Sequence, residues 1–462
     1  MSFYLIGTLA FIFILGSAVI LHEFGHFMVA KLFKIRVETF SIGFGPRLFG
    51  KKWGQTDYRV SAIPLGGYVK LGGDESNAPL EGAGAADIPE WEMFNMRPRW
   101  QRVLVALAGP VMNILTALAV PLGSALLSGI PLTPAPVVSY VSQGGAAQTA
   151  GVQPGDRVVS FSGTENPKWD TISGDALLSP DQSLPLVVER NGQRIPLTIK
   201  PTSHTEGGET VGLLDFVPDN GGFPVVIKGV TDDSPAAQAG LQVGDRVLAV
   251  NGQHVRSAEH VTQFVREHRS QPITITVERN GERTDITASA RRLADGTERL
   301  GIWPVDDFPL RRPGIAAATS YAFTSNIEIL RLTGKALGQF FTGKRSARNT
   351  LSGPIGIYRA ASNSVERLGW DGVFGMLGFL SLNLGIFNLL PIPVLDGGAI
   401  FLLLIEGILA VIGLTLSTAI RERIQQVGFV MVILLMVFVI TNDVLKQFSH
   451  GLEGERPAAT SK

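Results

Sequence analysis

Residues 3–26 read FYLIGTLAFIFILGSAVILHEFGH, and this stretch decides how the rest of the chain is read. From Phe3 to Leu21 no side chain is charged. Such a run is long enough to cross a hydrocarbon core of ~30 Å as one helix. A cleavable leader would carry a basic residue ahead of the apolar run and a small-residue cleavage site behind it. This run has neither, and continues instead into His22, Glu23 and His26. The expectation is a membrane span that ends in H-E-x-x-H.

Working outward, two more apolar regions appear. Residues 103–130 are apolar apart from Asn113, Thr116 and two serines, and residues 373–420 are interrupted by charge only at Asp396 and Glu406. A final apolar run covers 427–440. Eleven lysines and arginines crowd the segment between Lys31 and Arg102, which the positive-inside rule places in the cytoplasm. The N-terminus and the long central segment then lie outside. Arg421 and Arg423 also prefer the cytoplasm, so 373–420 is read as one span ending near Pro391, followed by a half-inserted or membrane-associated helix. Four spans result.

The averages conceal this partition. Forty basic and forty acidic side chains give zero formal charge, against the basic footprint expected of a nucleic-acid binder. Charged residues make up 17% of 462, below the roughly 25% of a soluble domain. The absence of cysteine excludes disulfides, thiolate metal sites and cysteine nucleophiles.

The central segment repeats itself. Val141, Ala147, Ala150, Gly151, Gly155, Asp156, Arg157 and Gly163 return 89 residues later as Val230, Ala236, Ala239, Gly240, Gly244, Asp245, Arg246 and Gly252. Glu189–Gly192 returns as Glu278–Gly281, and Gly212 as Gly301. One small domain present twice, each copy with short strands, Asn-Gly turns and one or two helices, is the simplest reading.

The remaining chemistry concentrates at one depth. On a helix, His22 and His26 share a face and can reach one zinc ion while Glu23 stays beside it. Seven histidines in the chain make such a motif a roughly 1% accident. Ionisable groups at the end of an apolar span are functional candidates by default. A catalytic zinc needs a third protein ligand, for which Asp396 and Glu406 are the candidates within the apolar regions. Asp396 sits in NLLPIPVLDGG (388–398), where prolines and glycines must break a helix, and broken backbone survives at membrane depth only where it is buried or lines a cavity.

Taken together, H-E-x-x-H closing a first span, Gly43-Phe44-Gly45-Pro46 in the following loop, Gly109-Pro110 and Asn113 in a second span, a doubled outer domain and N-x-x-P-x-P-x-L-D-G resemble the site-2 protease family of intramembrane zinc metalloproteases. The resemblance covers nearly the whole chain. Its implied fold is a polytopic α-helical membrane protein of about four spans with a cytoplasmic-side re-entrant β element and two tandem periplasmic PDZ domains. The implied segments are 1–33 (first span with H-E-x-x-H), 34–100 (loop and re-entrant β region), 101–130 (second span), 131–220 and 221–308 (PDZ domains) and 309–371 (amphipathic helices and linker). Then come 372–420 (third span and following segment), 424–446 (fourth span) and 447–462 (flexible tail).

The resemblance further implies one catalytic Zn2+ on His22, His26 and Asp396, Glu23 as general acid–base, and Asn388, Pro391 and Pro393 at the substrate. The expected reaction is cleavage of single-span membrane proteins, such as an anti-sigma factor already trimmed outside, in a bacterial inner membrane, with the PDZ pair as a size filter. A peptide-binding strand of a permuted PDZ domain falls at Gly212 and Leu213 in one copy and at Gly301 and Ile302 in the other; a purely steric role for both copies stays open. Residues 37–71 alternate apolar and polar, which fits either a re-entrant sheet that takes the substrate as an added strand or a small cytoplasmic hairpin. Residues 315–341 suit either an interfacial helix or ordinary packing. A membrane-anchored PDZ scaffold without activity would be expected to carry a damaged H-E-x-x-H or no carboxylate, and neither defect is present.

Overall fold

The uncharged run folds as helix α1 (Phe3–Leu32), and the chain leaves it through Lys34 at φ +56°, with the Ile35 N–H returning to the Ala30 carbonyl. The computed structural model describes residues 3–74, 88–132, 134–206, 209–268, 271–292, 298–345, 353–414 and 416–453. Two long strands follow, β1 (Val37–Trp53) and β2 (Thr56–Leu71). Thr39 faces both Lys70 and Asp57, and Lys52 also faces Asp57. The two strands are therefore folded over into four antiparallel segments in the order 67–71, 37–42, 57–60 and 49–53. Gly43 and Gly45, at φ +89° and +87°, supply the bend inside β1 that an L side chain would resist. Helix α2 (Arg99–Leu127) comes next.

The doubled segment folds as two copies of one small α/β unit. The first has β3 (Val138–Val141), α3 (Ala146–Ala150), β4 (Arg157–Phe161), α4 (Trp169–Leu177), β5 (Leu184–Arg190), β6 (Gln193–Ile199), β7 (Thr202–Glu206), β8 (Glu209–Leu213) and β9 (Phe216–Pro218). The second has β10 (Val225–Val230), α5 (Pro235–Ala239), β11 (Arg246–Val250), α6 (Ala258–His268), β12 (Pro272–Arg279), β13 (Glu282–Ser289) and β14 (Ile302–Asp306), its sheet ordered β13-β12-β11-β10-β14. Both cores are built from β-branched and aliphatic residues, Val158, Leu186 and Ile199 in one and Val247, Ile275 and Val277 in the other.

One ion pair is also repeated. Arg190 Nε donates to Asp156 Oδ1 at 2.6 Å and its Nη2 to the Gly151 carbonyl; 89 residues on, Arg279 does the same to Asp245 and Gly240. Both aspartates are 1% exposed, and each also accepts a backbone N–H, from Gln153 or Gln242. The repeats meet through α6. The Tyr140 and His260 rings stack at 4.8 Å, Tyr140 Oη donates to Glu267, and Gln263 Nε2 donates to Ser142 Oγ.

Five helices complete the chain: α7 (Ile315–Phe341), α8 (Pro354–Leu368), α9 (Trp370–Asn388), α10 (Asp396–Val411) and α11 (Thr418–Glu453). Four helical stretches are long and apolar enough to cross a membrane: Leu5–Leu32, Arg99–Leu127, Trp370–Asn388 and Arg423–Leu445. Helix α10, with 16 residues, is about 24 Å long and falls short of the hydrocarbon thickness. The expected flexible tail 447–462 is corrected in part, because α11 stays helical through Glu453; residues 454–462 lie outside the described residues.

Two compact units divide the chain. In the unit of Met1–Leu127, Gly314–Ile329 and Gly353–Ile440, Ile14 and Ala18 of α1 pack on Ala361 of α8 and on Val373 and Leu377 of α9. Pro121 inside α2 leaves the Ala117 carbonyl without its helical donor, and Asn326 Nδ2 of α7 supplies one at 3.0 Å. In the other unit, Arg331 and Lys335 of α7 donate to the fully buried Asp175 of the first repeat at 2.9 and 2.7 Å.

Two predictions follow from the repeats. Asp245→Asn leaves Arg279 without its buried counter-charge and should destabilise the second repeat by about 2–3 kcal/mol, read as a lower urea midpoint for proteolysis of that repeat in the full chain. His260 is buried, its Nε2 has no hydrogen-bond partner among the described residues, and burial outweighs the Glu267 charge to lower its pKa. The folded state then binds the proton less well than the unfolded chain. Stability from this residue is complete above about pH 6.5 and is lost as pH falls through the folded value, so His260→Gln should flatten the acid limb of a proteolysis-versus-pH curve.

Candidate metal centre

Helix periodicity brings His22 and His26 onto one face of α1, and the facing helix α2 meets them without side-chain bulk. A Cβ at Gly109 would sit 2.3 Å from His26 Nε2 and 2.8 Å from His22 Cε1, and one at Gly25 would sit 2.3 Å from the Ala108 carbonyl. Small residues allow this approach, as they do at membrane helix crossings generally. Asp396 arrives from the far end of the sequence. The chain leaves α9 at Asn388, turns through 389–395 and starts α10 at Asp396. Gly397 and Gly398 press against the Leu389, Leu390 and Ile392 carbonyls, each with a virtual Cβ within 2.3 Å. Val394, at φ +86°, is a β-branched residue in left-handed backbone, a strained conformation of the kind found at functional sites.

The three side chains converge. His22 Nε2 lies 3.0 Å from Asp396 Oδ2, His26 Nε2 3.4 Å from Asp396 Oδ1, and the two Nε2 atoms are 3.2 Å apart. Around a metal held tetrahedrally at ~2.05 Å, ligand atoms stand about 3.3 Å apart. The two imidazole nitrogens are at that spacing, each faces a different oxygen of the one carboxylate, and one ligand atom from each of the three residues lies within 4.8 Å of the others, a cluster of a size that can hold a metal ion.

The outer partners agree. His26 Nδ1 is 2.7 Å from the Val105 carbonyl, so Nδ1 carries the proton and Nε2 keeps its lone pair. The Asn113 amide is 3.2 Å from His22 Nδ1, and its Oδ1 is buried without a partner among the described residues. Amide oxygen and nitrogen are interchangeable by rotation about the side chain. With Oδ1 turned to accept the His22 Nδ1–H, the orphaned atom is satisfied and His22 Nε2 is free to ligate. The residues present thus fit a zinc ion.

Glu23 stands beside this triad. Its carboxylate accepts the Val69 backbone N–H, and its Cγ lies 3.7 Å from a virtual Cβ on Gly67. Segment 67–71 is the outer segment of the four-segment sheet, so a strand edge runs past the glutamate. Asn388 Nδ2 lies 3.5 Å from His22 Nε2. Pro391 is exposed in the turn, and Pro393 packs against Gly428 of α11, so both shape the turn at a remove from the triad. Glu406, the other carboxylate in these apolar helices, is buried and paired with Arg421. Asn113, Gly109 and the Val105 carbonyl were not picked out as site groups from sequence; the signal for Asn113 was its polarity inside an apolar span.

At the repeats, Gly301 (φ +84°) and Ile302 lie at the start of edge strand β14. Gly212 and Leu213 lie elsewhere, on β8, paired with β7. The Ser142 N–H binds the Asp215 carbonyl where the Thr231 N–H binds that of Gly301. Ser142 and Thr231 are 89 residues apart, but Asp215 and Gly301 only 86. The ungapped offset slips by three residues here, because the second copy has a shorter connection after β13. Asp215, at φ +57°, occupies the position that Gly301 holds in the other copy.

Asn113→Ala should weaken zinc affinity about 10–100-fold while the chain stays folded, measured by competition with a chelator of known affinity. Gly109→Ala, which drives a methyl group into both rings, should weaken it further.

Comparison with known proteins places this geometry. The family model described as Peptidase family M50 matches residues 10–435. The chain is 32% identical to the regulator of sigma-E protease RseP of Escherichia coli strain K12 over 453 residues, covering 94% of this chain and 97% of that protein. It is 32% identical over 455 residues to a presumptive zinc metalloprotease of Vibrio cholerae, with 94% and 97% covered. Among solved structures, the PDZ domain of the SdrC-like protein of Listeria monocytogenes aligns with 18% of this chain and 88% of its own length, at 24% identity and TM-score 0.17.

Proposed function

The chain belongs to peptidase family M50 and is an intramembrane zinc metalloprotease, and from that premise we propose that it cuts single-span membrane proteins of the anti-sigma-factor type within the bilayer, with His22, His26 and Asp396 as zinc ligands. The observation that carries this reading is the convergence of His22 Nε2, His26 Nε2 and the Asp396 carboxylate, whose two oxygens lie 3.0 Å and 3.4 Å from the respective imidazoles, with Glu23 adjoining them.

Bound there, zinc supplies a Lewis acid that polarises the scissile carbonyl and lowers the pKa of the attacking water. Glu23 takes the proton of that water and passes it to the leaving amine. Asn388, near His22, is placed to hydrogen-bond a substrate backbone that has left its helix. Pro391 and Pro393 keep the 389–395 turn from continuing either helix. A membrane helix hides its amides in i→i−4 bonds, so it must unwind before hydrolysis. The outer segment of the sheet, 67–71, lies beside Glu23, where an unwound substrate segment adds as a further strand, the β-augmentation mode of peptide recognition.

The basic segment between Lys31 and Arg102 supports a cytoplasmic-side site and outer repeats, in a bacterial inner membrane like that of the sigma-E relatives. The repeats serve as tandem PDZ domains that turn away substrates with bulky outer domains. Gly301 and Ile302 mark the better formed of the two peptide edges.

Full chain in proteoliposomes with a single-span test substrate tests the assignment. Glu23→Gln should keep its zinc and lose about 10²–10⁴ in rate, whereas Asp396→Asn should lose the metal. Equal cleavage by Glu23→Gln would sink the assignment.

A further inference from the structure

Away from the metal ligands, a cleft of about 610 Å³ lies between the start of α2 and the second half of α10. Trp100, Val103 and Leu104 line one wall, and Leu404, Gly407 and Ile408 the other. Arg99 is its one charged lining residue. Trp100, Leu404 and Ile408 are all more than half exposed, and nothing within 4 Å would meet a Cβ on Gly407. The volume falls within the range of small-molecule sites, about 300–1,000 Å³. Both walls belong to apolar helices of the membrane unit.

We propose that this cleft is a site for one anionic phospholipid, an acyl chain lying between α2 and α10 and the phosphate on Arg99. Size argues for a chain over a helix. A helix about 10–12 Å across would fit only one to two turns into 610 Å³, too little to seat a spanning segment.

Apolar lining alone cannot select among lipids, because acyl chains are as apolar as leucine. Selection must come from the charged end. Arg99 makes no ion pair with any described residue, whereas the neighbouring Arg421 is paired with Glu406. Arg102, one turn further along α2 and stacked over Phe94, holds a second guanidinium near the same end, its Nε without a hydrogen-bond partner among the described residues. Trp100 is the amphipathic ring expected at headgroup depth.

The test uses full chain in vesicles of phosphatidylcholine carrying a rising fraction of chain-brominated phosphatidylglycerol or chain-brominated phosphatidylcholine. The chain has six tryptophans, so the signal read is the quenching lost in Trp100→Phe. The brominated phosphatidylglycerol should half-quench Trp100 at about a fivefold lower mole fraction than its zwitterionic counterpart, the preference set by one arginine near a headgroup. Arg99→Gln should equalise the two lipids. Gly407→Phe, which grows into open space, should abolish the quenching by both; Gly407→Leu serves if the larger ring lowers the yield of folded protein. Equal quenching by both lipids in the unaltered chain would overturn the proposal, as would a preference that survives Arg99→Gln. Recovery of Trp100 fluorescence on adding a single-span substrate would overturn it in favour of a substrate-helix site.

Discussion

The close crossing of α1 and α2 is the constraint on which the rest depends. With Gly25 against the Ala108 carbonyl and Gly109 against the His26 ring, neither helix has a Cβ at the contact. Two imidazoles therefore sit in the groove between the helices rather than projecting into lipid. That position gives His26 its Val105 carbonyl and His22 its Asn113 amide. It also leaves one open side, which Asp396 closes. The neighbouring Gly397 and Gly398 play the same part at the turn, letting α10 begin against the carbonyls of 389–392. Glycine is used here for close approach, a matter of volume rather than conformational freedom.

A second economy concerns broken backbone. Two interruptions of helical hydrogen bonding in this unit are answered locally, as the low dielectric requires. Asn326 caps the carbonyl exposed by Pro121. The 389–395 turn is closed by short-range bonds, Leu389 to Ile386, Leu390 to Phe387 and Leu395 to Ile392. What remains is the positive φ at Val394, two residues before Asp396. The strain sits where it aims a carboxylate at two imidazoles.

Much of this was legible in the residues, for identifiable reasons. H-E-x-x-H works through i,i+4 spacing, which needs no tertiary information, and the spans follow from length and apolarity. The choice between Asp396 and Glu406 was harder, since both are lone carboxylates in apolar helices. The Pro-Gly environment favoured Asp396, and Arg421 then accounts for Glu406. Asn113 and Gly109 could not be read as site groups, because their parts depend on which residues of α1 they face. The repeat offset located the Asp–Arg staples of both copies but misplaced the last strand of the first copy. An ungapped comparison carries no knowledge of a loop shortened by three residues, and one register step moves every side chain of a strand to the other face.

Charge balance ties these parts together. Helix α10 carries two carboxylates into an apolar setting, and an uncompensated buried charge is among the costliest features a fold can hold. Glu406 is neutralised by Arg421. Asp396 has only His22 and His26 as ionic partners among the described residues, and both must be neutral to serve as ligands. Ionised as its proposed general-base role requires, Glu23 adds a second negative charge beside the same pair of rings. Two carboxylates and two neutral imidazoles sum to −2. A divalent cation on the proposed ligands brings the cluster to zero, so the ion that supplies the chemistry is also the one that makes four polar side chains tolerable between apolar helices.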